Sequence, residues 1–381
     1  MRLAWSNITH DRVRFAVTVL GISCAVFLMI FQGSILLGFL RAASKIIDST
    51  GADLWIAGRG VQCFEFAVPI ERRFADLARG IPGVRNTRRI CISLVQFRKI
   101  DGSQQQVALI GADTDSGARL PIPPLAGSAA GSPSGSSMTV GPQAVVVDSS
   151  NAEMLDIPLR LPLDVEINNQ RARVVGRTSG FGSFLGSPYV FTSYSDASRY
   201  VGLPADQTMF ILVHVQPGFE IERVKRELQA RLPSVEVSTR EEFSRRAQIY
   251  WTSQTGAGGA ILAAAVLGFF IGLTVVSQAI YSTTMEHIEE FATLKALGAS
   301  SGYMVRVIVA QALLAGLAGY LLGVLITNPM IRAARPHIPW ISTPWWLPAG
   351  VIVPALAMCA LASILSVKAA ITVEPAKVFR A

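Results

Sequence analysis

The side chains that most often carry enzyme chemistry are few and widely separated in this sequence. Histidine occurs only at His10, His214, His287 and His337. Zinc sites and His-based catalytic triads need such side chains to converge, and this scattered pattern predicts neither. No Gly-Lys dipeptide occurs, which excludes the phosphate-binding loop GxxxxGK[ST]. We therefore predict no catalytic, cofactor-binding or metal-binding residue, and no ATP hydrolysis by this chain alone.

The most ordered pattern of charged residues lies in residues 282–300. Thr283 and Glu286 have the spacing of a capping box at a helix N-terminus. Acidic residues fall in the first turns, Lys295 comes near the other end, and Gly298 provides a C-terminal stop. This order matches the direction of the helix dipole, so the segment predicts a short helix.

The predicted helix has two chemically different faces. Apolar side chains recur at spacings of three and four residues, at Met285, Ile288, Phe291, Ala292 and Leu294. Another face carries the carboxylates of Glu286, Glu289 and Glu290. One face can therefore pack on lipid or neighbouring helices while the other binds a partner. The simpler alternative is a connector that is charged because it is exposed to water.

The elements on either side of this helix are apolar, as is much of the sequence. Of 381 residues, 51% are hydrophobic and 16% are charged, and the apolar residues are grouped in blocks. Each block is close to the roughly 20 residues that a helix needs to cross a bilayer. We predict membrane spans at residues 15–40, 254–281, 303–327 and 347–367. The first apolar run exceeds the length of a signal-peptide core, so we predict a retained anchor rather than a cleaved signal.

Basic residues near the spans predict the orientation of the chain. Lys and Arg occur before the first span, in residues 1–14, and after the last, in residues 368–381. Both ends are then cytoplasmic, the first as an amphipathic helix and the second as a tail; an unstructured start is the alternative for the first. The loop at 328–346 falls outside despite Arg332 and Arg335. Residues 41–253 carry a net +3, so the remaining +5 of the net charge of +8 lies in and around the membrane part, and no nucleic-acid partner is predicted.

The main mass outside the membrane is residues 41–253, which are long enough for a folded domain. Strand-like runs, amphipathic helices and turns such as Asp101-Gly102 alternate there, which predicts a mixed α+β extracytoplasmic domain between the first and second of four transmembrane helices. Residues 116–141 are rich in Gly, Ser and Pro and predict a flexible loop between two lobes.

The end of this domain predicts a β-α-β unit followed by a link to the membrane. Its parts are a strand at 209–215, a helix at 220–232 and a strand at 235–238. A last helix at 240–251 is expected to run straight into the second span, which would make a continuous stalk from Arg240 to Tyr281.

Small residues within the spans predict close helix packing. Two pairs of glycines have four-residue spacing: Gly268 with Gly272, and Gly319 with Gly323. Such pairs let helix backbones approach closely, either within one subunit or against a second copy. In the domain, Cys63 and Cys91 would form a disulfide if the compartment is oxidising; two unpaired core cysteines are the alternative.

The four-span layout and segment 282–300 together resemble the permease subunits of the MacB/FtsX-type ABC transporters. The cytoplasmic segment of that family typically reads R-x-x-E-[IF]-[AG]-x-[LM]-[KR]-A-[LIM]-G-A. This sequence matches at Glu290-Phe291-Ala292 and again from Leu294 to Ala299, whereas His287 stands where the family has Arg. The tail Val373-Glu374-Pro375-Ala376 is similar to the closing P-A motif. Leu3-Ala4-Trp5 and residues 51–56 are similar to the DevC-like exporter branch.

The resemblance implies a cytoplasmic partner ATPase that binds ATP and Mg²⁺, a dimer of permeases, and a bacterial inner membrane. It identifies a set of ATPase-coupling residues: Glu286, Glu289, Glu290, Phe291, Leu294, Lys295, Leu297 and Gly298. It implies export or extrusion of a lipid, lipoprotein or other amphiphile, with a periplasmic adaptor and an outer-membrane duct as further candidate partners. The alternative is an FtsX-like signalling subunit that activates a cell-wall hydrolase; a membrane-anchored enzyme is disfavoured.

Overall fold

The computed structural model describes residues 12–113, 141–183, 186–286, 288–297 and 300–372. Most of the predicted N-terminal helix, loop and C-terminal tail lie outside these residues. The chain forms two compact units. The first, which contains the membrane spans, comprises Met1–Gly38, Gly258–Arg335 and Ile341–Ala381. The second, which contains the domain, comprises Phe39–Ala257 and Pro336–Trp340.

The described α-helices include long apolar elements and short amphipathic ones. In chain order they are α1 (Arg12–Ser49), α2 (Arg73–Arg79), α3 (Tyr194–Val201), α4 (Ile221–Arg231), α5 (Arg240–Ile249), α6 (Ala257–Glu286), α7 (Ile288–Ala296), α8 (Ser301–Ala334) and α9 (Trp346–Thr372). Four of them, α1, α6, α8 and α9, are long and apolar enough to cross a membrane, which confirms the predicted spans. All four run further than predicted at their C-terminal ends; α1 extends to Ser49, and α8 takes up residues to Ala334 of the predicted outer loop.

The spanning helices share one apolar core. It contains Ile22 and Val26 of α1, Val276 of α6, Ile308 of α8 and Met358 of α9. Within the described part of this unit, the buried polar side chains are all serine or threonine. Most of their hydroxyls bond to carbonyls of their own helix, as does Ser34 Oγ, which donates to the Ile30 carbonyl at 2.7 Å. Local bonding of this kind lets a hydroxyl remain inside a membrane helix bundle.

The domain is built on a nine-stranded sheet. Its strands lie in the order β11-β1-β10-β3-β4-β8-β5-β7-β6, and a small separate sheet pairs β2 with β9. The strands are β1 (Leu54–Gly58), β2 (Ile70–Glu71), β3 (Val84–Arg98), β4 (Gln104–Ala112), β5 (Ala144–Asp148), β6 (Leu163–Ile167), β7 (Gln170–Thr178), β8 (Tyr189–Ser193), β9 (Gln207–Thr208), β10 (Phe210–Val215) and β11 (Val235–Thr239). Together with the helices, they form the predicted mixed α+β fold.

The predicted β-α-β unit forms around a third strand. β10 and β11 both pair antiparallel with β1, which lies between them, and α4 connects the two. Apolar residues of α2 and α4, including Phe74 and Leu228, pack on Ile56 and Val213 of these strands. The alternation of strand and helix was visible in the sequence, whereas the insertion of β1 is a long-range pairing.

The strands in the other half of the sheet form a ring. β3 and β4 form a hairpin at the predicted Asp101-Gly102 turn, where Gly102 has φ 84°. β4 pairs in parallel with β8, and β6 returns to β3 through Phe97 and Ile167. Six strands, from β3 round to β6, therefore make a ring. Because β3 belongs to this ring and also pairs with β10, one sheet passes through both predicted lobes.

The predicted continuous stalk from the domain into the second span is wrong. α5 ends at Ile249, and a π-helical turn follows over Tyr250–Gln254. Gly256 then adopts φ 74°, and α6 begins at Ala257. A positive φ interrupts a right-handed helix and is tolerated best by glycine. The link therefore contains a defined break.

Candidate coupling site

The predicted coupling segment begins as the end of a spanning helix. Residues 283–286 continue the helix α6, so the helix start predicted at Thr283 and Glu286 is wrong. Thr284 is buried, and its hydroxyl donates to the Ile280 carbonyl at 2.8 Å, which is the geometry of a helix interior. The capping-box spacing is present in the sequence, but the helical backbone of the span does not stop there. The segment is α6 followed by α7.

One side of α7 is attached to α9. Ala292 is fully buried, and Lys295 Nζ donates to the carbonyl oxygen of Ile371 at 2.7 Å. Ile371 belongs to α9. A hydrogen bond from a charged ammonium group is stronger than one between neutral groups. Lys295 therefore makes a bond within its own subunit, a role that the predicted ATPase contact did not include.

Another side of the segment is exposed. Glu286 and Glu289 are both exposed, as is Met285. Leu297, directly after α7, exposes 80% of its surface. The backbone of α7 also contains Glu290, Phe291 and Leu294, and Gly298 lies outside the described residues. Carboxylates beside large exposed apolar side chains provide charge and apolar area together, which suits a protein partner.

Three of the four predicted packing glycines lie tightly against α1. A Cβ atom on Gly272 would lie 2.5 Å from Ala25 Cβ, and one on Gly319 would lie 2.6 Å from Ile22 Cβ. A Cβ on Gly323 would lie 2.9 Å from the carbonyl oxygen of Ser23. Real Cβ atoms do not approach this closely, so the backbones of α6 and α8 approach α1 closely because these residues are glycine. Their contacts are within the subunit.

The matching surface on α1 was missed in the sequence. Gly21 packs against α6, since a Cβ there would lie 2.9 Å from Val275 Cγ1. Gly21 and Ala25 are four residues apart, so a search for small residues in general, rather than glycine pairs alone, would have found this face. Gly268 makes a looser contact, because a Cβ there would lie 3.6 Å from Leu28 Cβ.

Cys63 and Cys91 are free thiols, so the disulfide considered for them is not formed. Both are buried in the domain, and burial raises the pKa of each thiol to about 12. A thiol that stays protonated reacts slowly with electrophiles and oxidants. These residues pack in the core, as the alternative prediction had it.

Two family models match the sequence. The MacB-like periplasmic core domain matches residues 15–231, and the FtsX-like permease C-terminal matches residues 259–375. The periplasmic region of MacB from Actinobacillus actinomycetemcomitans is 12% identical, with a TM-score of 0.38, and the match covers 51% of this chain and 92% of that one. The extracellular domain of the noncanonic ABC-type transporter YknZ from Gram-positive bacteria is 13% identical, with a TM-score of 0.35 and coverage of 49% and 98%. No curated protein matches the sequence.

Proposed function

Because this chain belongs to the MacB/FtsX-type family of ABC transporter permeases, we propose that it couples ATP hydrolysis in a separate cytoplasmic subunit to movement of its extracytoplasmic domain. The proposed movement exports or extrudes a lipid, lipoprotein or other amphiphile. Permeases of this family work with an ABC ATPase and assemble as dimers in general. We extend both features to this chain, with both termini and α7 on the cytoplasmic side.

The observation that carries the proposal is the attachment of α7. On one side, the bond from Lys295 to Ile371 ties it to α9, and Ala292 is buried. On another side, Glu289 and Leu297 remain exposed. A helix that is fixed to the spans and open to a partner transmits a push or pull from that partner, whereas a loosely attached loop would absorb it.

The interior of the spans supports transmission of movement over conduction of a solute. Its buried polar side chains among the described residues are Ser and Thr, most of which bond within their own helix. The sequences of the four predicted spans contain no Asp, Glu or Lys, and their one Arg, Arg306, lies near the start of the third. Ion- and proton-coupled carriers place ionisable residues within their membrane pathways. The proposed cargo therefore moves outside the bundle, where an adaptor and an outer-membrane duct are candidate partners.

The test places a negative charge at Leu297. Leu297→Glu is compared with Leu159→Glu in the domain, where the leucine is 90% exposed, so both variants replace an exposed leucine with the same acid. We expect the unaltered chain to copurify with an ABC ATPase and to stimulate its ATP hydrolysis. Leu297→Glu should lose the stimulation, and Leu159→Glu should keep it.

The proposal fails if no ATPase copurifies even after crosslinking, because α7 is then a connector only. It also fails if Leu297→Glu stimulates ATP hydrolysis as well as the unaltered chain. Gel filtration in detergent shows whether each variant remains folded and monodisperse. Identification of copurified periplasmic proteins separates an exporter, which would bring an adaptor, from a signalling subunit, which would bring a cell-wall hydrolase.

A further inference from the structure

The domain carries a group of large apolar side chains, two of them exposed, here called the aromatic patch. It consists of Phe66, Ile249, Tyr250 and Trp251. Phe66 is 55% exposed and Ile249 is 53% exposed, whereas Tyr250 is half-buried and Trp251 is buried. Large apolar side chains are more stable in an apolar environment than in water. Exposed side chains of this size on neighbouring segments of the domain suit a contact surface.

The aromatic rings of the patch hold one another in place. The Phe66 ring lies 6.0 Å from that of Tyr250 and 5.9 Å from that of Trp251, centroid to centroid. The rings of Tyr250 and Trp251 are 5.4 Å apart and nearly perpendicular. Ring pairs at these distances attract each other beyond their burial of area. The patch is therefore already ordered before it meets a partner.

The polar atoms under the patch are satisfied inside the domain. Trp251 Nε1 donates to one oxygen of Glu65 at 3.3 Å, and the Tyr189 hydroxyl donates to the other at 3.3 Å. The indole N–H is therefore directed inward. The ring of Phe66 is left exposed on the outside of the group.

Hydrogen bonds place the patch at the end of the domain from which the chain passes to the spans. α5 runs antiparallel to the end of α1, because Ser244 Oγ donates to Asp48 at 2.6 Å and Gln248 Nε2 donates to Ser44 at 3.0 Å. The C-terminus of α5 therefore points back along α1. The π-helical turn Tyr250–Gln254 follows α5 directly and leads to the second span.

The patch is also close to the membrane along the chain. The chain from Tyr250 to Ala257, where α6 begins, reaches at most about 25 Å when fully extended. A further link to the spans comes through the segment Pro336–Trp340, which belongs to the same unit. The Trp340 ring meets that of Phe39, on α1, at 5.9 Å. Aromatic side chains concentrate at membrane interfaces because their rings suit the headgroup region.

We propose that the aromatic patch rests in the headgroup region of the outer leaflet and anchors this end of the domain to the lipid surface. Continuity with the spans selects lipid as the occupant. The patch follows one span and precedes another in the chain, and its side chains are apolar and aromatic. The proposal depends on the four spans and does not depend on coupling to an ATPase.

The domain offers matched control residues at its other end. Phe219 is 44% exposed and Ile221 is 39% exposed. Both follow β10, whose last residue, Val215, donates its N–H to the side chain of Asp53 at 2.8 Å. The Asp53 carbonyl accepts from the N–H of Arg240, the first residue of α5, whereas Phe66 contacts Tyr250, which follows the last. The 10 residues of α5 extend over about 15 Å. Phe219 and Ile221 are thus the same residue types as Phe66 and Ile249, at the end of the domain away from its links to the spans.

The test uses a fluorophore that is sensitive to its surroundings. In the full chain with Cys24→Ser, which removes the exposed thiol, single cysteines replace Phe66, Ile249, Phe219 or Ile221 and are labelled with a nitrobenzoxadiazole probe. Each protein is reconstituted in nanodiscs of phosphatidylcholine, with and without lipid that carries a shallow doxyl quencher. At positions 66 and 249 we expect blue-shifted emission and loss of most of the intensity with quencher. At positions 219 and 221 we expect little change.

Unquenched probes at both 66 and 249 would overturn the proposal, as would equal quenching at all four positions. Disulfide crosslinking between two copies through position 66, without quenching, would assign the patch to a subunit interface instead. The comparison of position 66 with 219 and the comparison of position 249 with 221 are independent tests. If one variant aggregates on gel filtration, the other pair still decides the outcome.

Discussion

The packing of α8 on α1 predicts a cost for one added methyl group at Gly319. In Gly319→Ala, the new Cβ would lie 2.6 Å from both Cβ and Cγ2 of Ile22 and 3.1 Å from the carbonyl oxygen of Val19. Carbon atoms in favourable contact lie about 3.5–4.0 Å apart. Two of these three atoms, Ile22 Cβ and the Val19 carbonyl, cannot move without the backbone. The helices must therefore separate by about 1 Å.

Two opposing effects set the size of the stability change in Gly319→Ala. Overpacking in a dense interior costs about 1–3 kcal/mol. Alanine gains roughly 1 kcal/mol over glycine in helix propensity. The control is Gly350→Ala in α9, where an added Cβ meets nothing within 4 Å and only the propensity gain applies. Gly319→Ala should therefore be less stable than Gly350→Ala by about 1–3 kcal/mol.

The assay is equilibrium unfolding of the purified chain in mixed micelles, followed by the far-ultraviolet circular dichroism of the helices. Measuring both alanine variants in the same micelles cancels differences in helix propensity. If Gly319→Ala is as stable as Gly350→Ala, the close contact with Ile22 does not exist. Gly319→Val, which adds a larger side chain, should be less stable than Gly319→Ala in the same assay.

Three further predictions concern other contacts. Lys295→Met should lower the free energy of unfolding by about 1 kcal/mol in the same assay, because the carbonyl of Ile371 loses its partner. Lys295→Arg, which keeps a charged donor, should retain most of the stability of the unaltered chain. In the native chain, Cys63 and Cys91 should resist maleimide at neutral pH and react on unfolding, since both are buried and protonated. Burial raises the pKa of Glu65 above its ordinary value of 4.5, so the folded state holds the carboxyl proton more tightly than the unfolded state does. The free energy of unfolding should therefore fall as the pH rises above 4.5. Glu65→Gln should flatten this pH dependence.

Each of these has a distinct contrary result. If Lys295→Met is as stable as the unaltered chain, the bond from Lys295 to Ile371 does not attach α7 to α9. Rapid maleimide labelling of the native protein would place the two thiols at the surface. A pH profile that is the same in Glu65→Gln and the unaltered chain would mean that the carboxyl is hydrated.

Much of the architecture could be predicted from the sequence because its signals are local. The four spans follow from long apolar runs, and hydrophobicity summed over such a window does not depend on what the helix packs against. The turn at Asp101-Gly102 and the strand at Val235–Thr239 follow from turn chemistry and β-branched residues. The local motif at Thr283 and Glu286 was misleading, because hydrogen bonding of α6 continues through a sequence that could also begin a helix.

The candidate site shows where local reasoning stops. The sequence identified Lys295 as important but gave no sign that it bonds to Ile371, which lies 76 residues further along the chain. It identified Gly319 and Gly323 as packing residues but not Ile22 and Ser23, the residues of α1 that they meet.

What the sequence determined by itself was the set of elements: four membrane helices, a mixed domain between the first two, and a charged helix between the second and third. What only the tertiary structure decided was which elements meet. β1 enters between β10 and β11, α7 is fixed to α9, and the glycines of α6 and α8 close on α1. Composition and periodicity report whether a side chain prefers water, lipid or a core, and residues within a few positions set those preferences. Long-range partners depend on shape complementarity across the fold, which one-dimensional patterns do not encode.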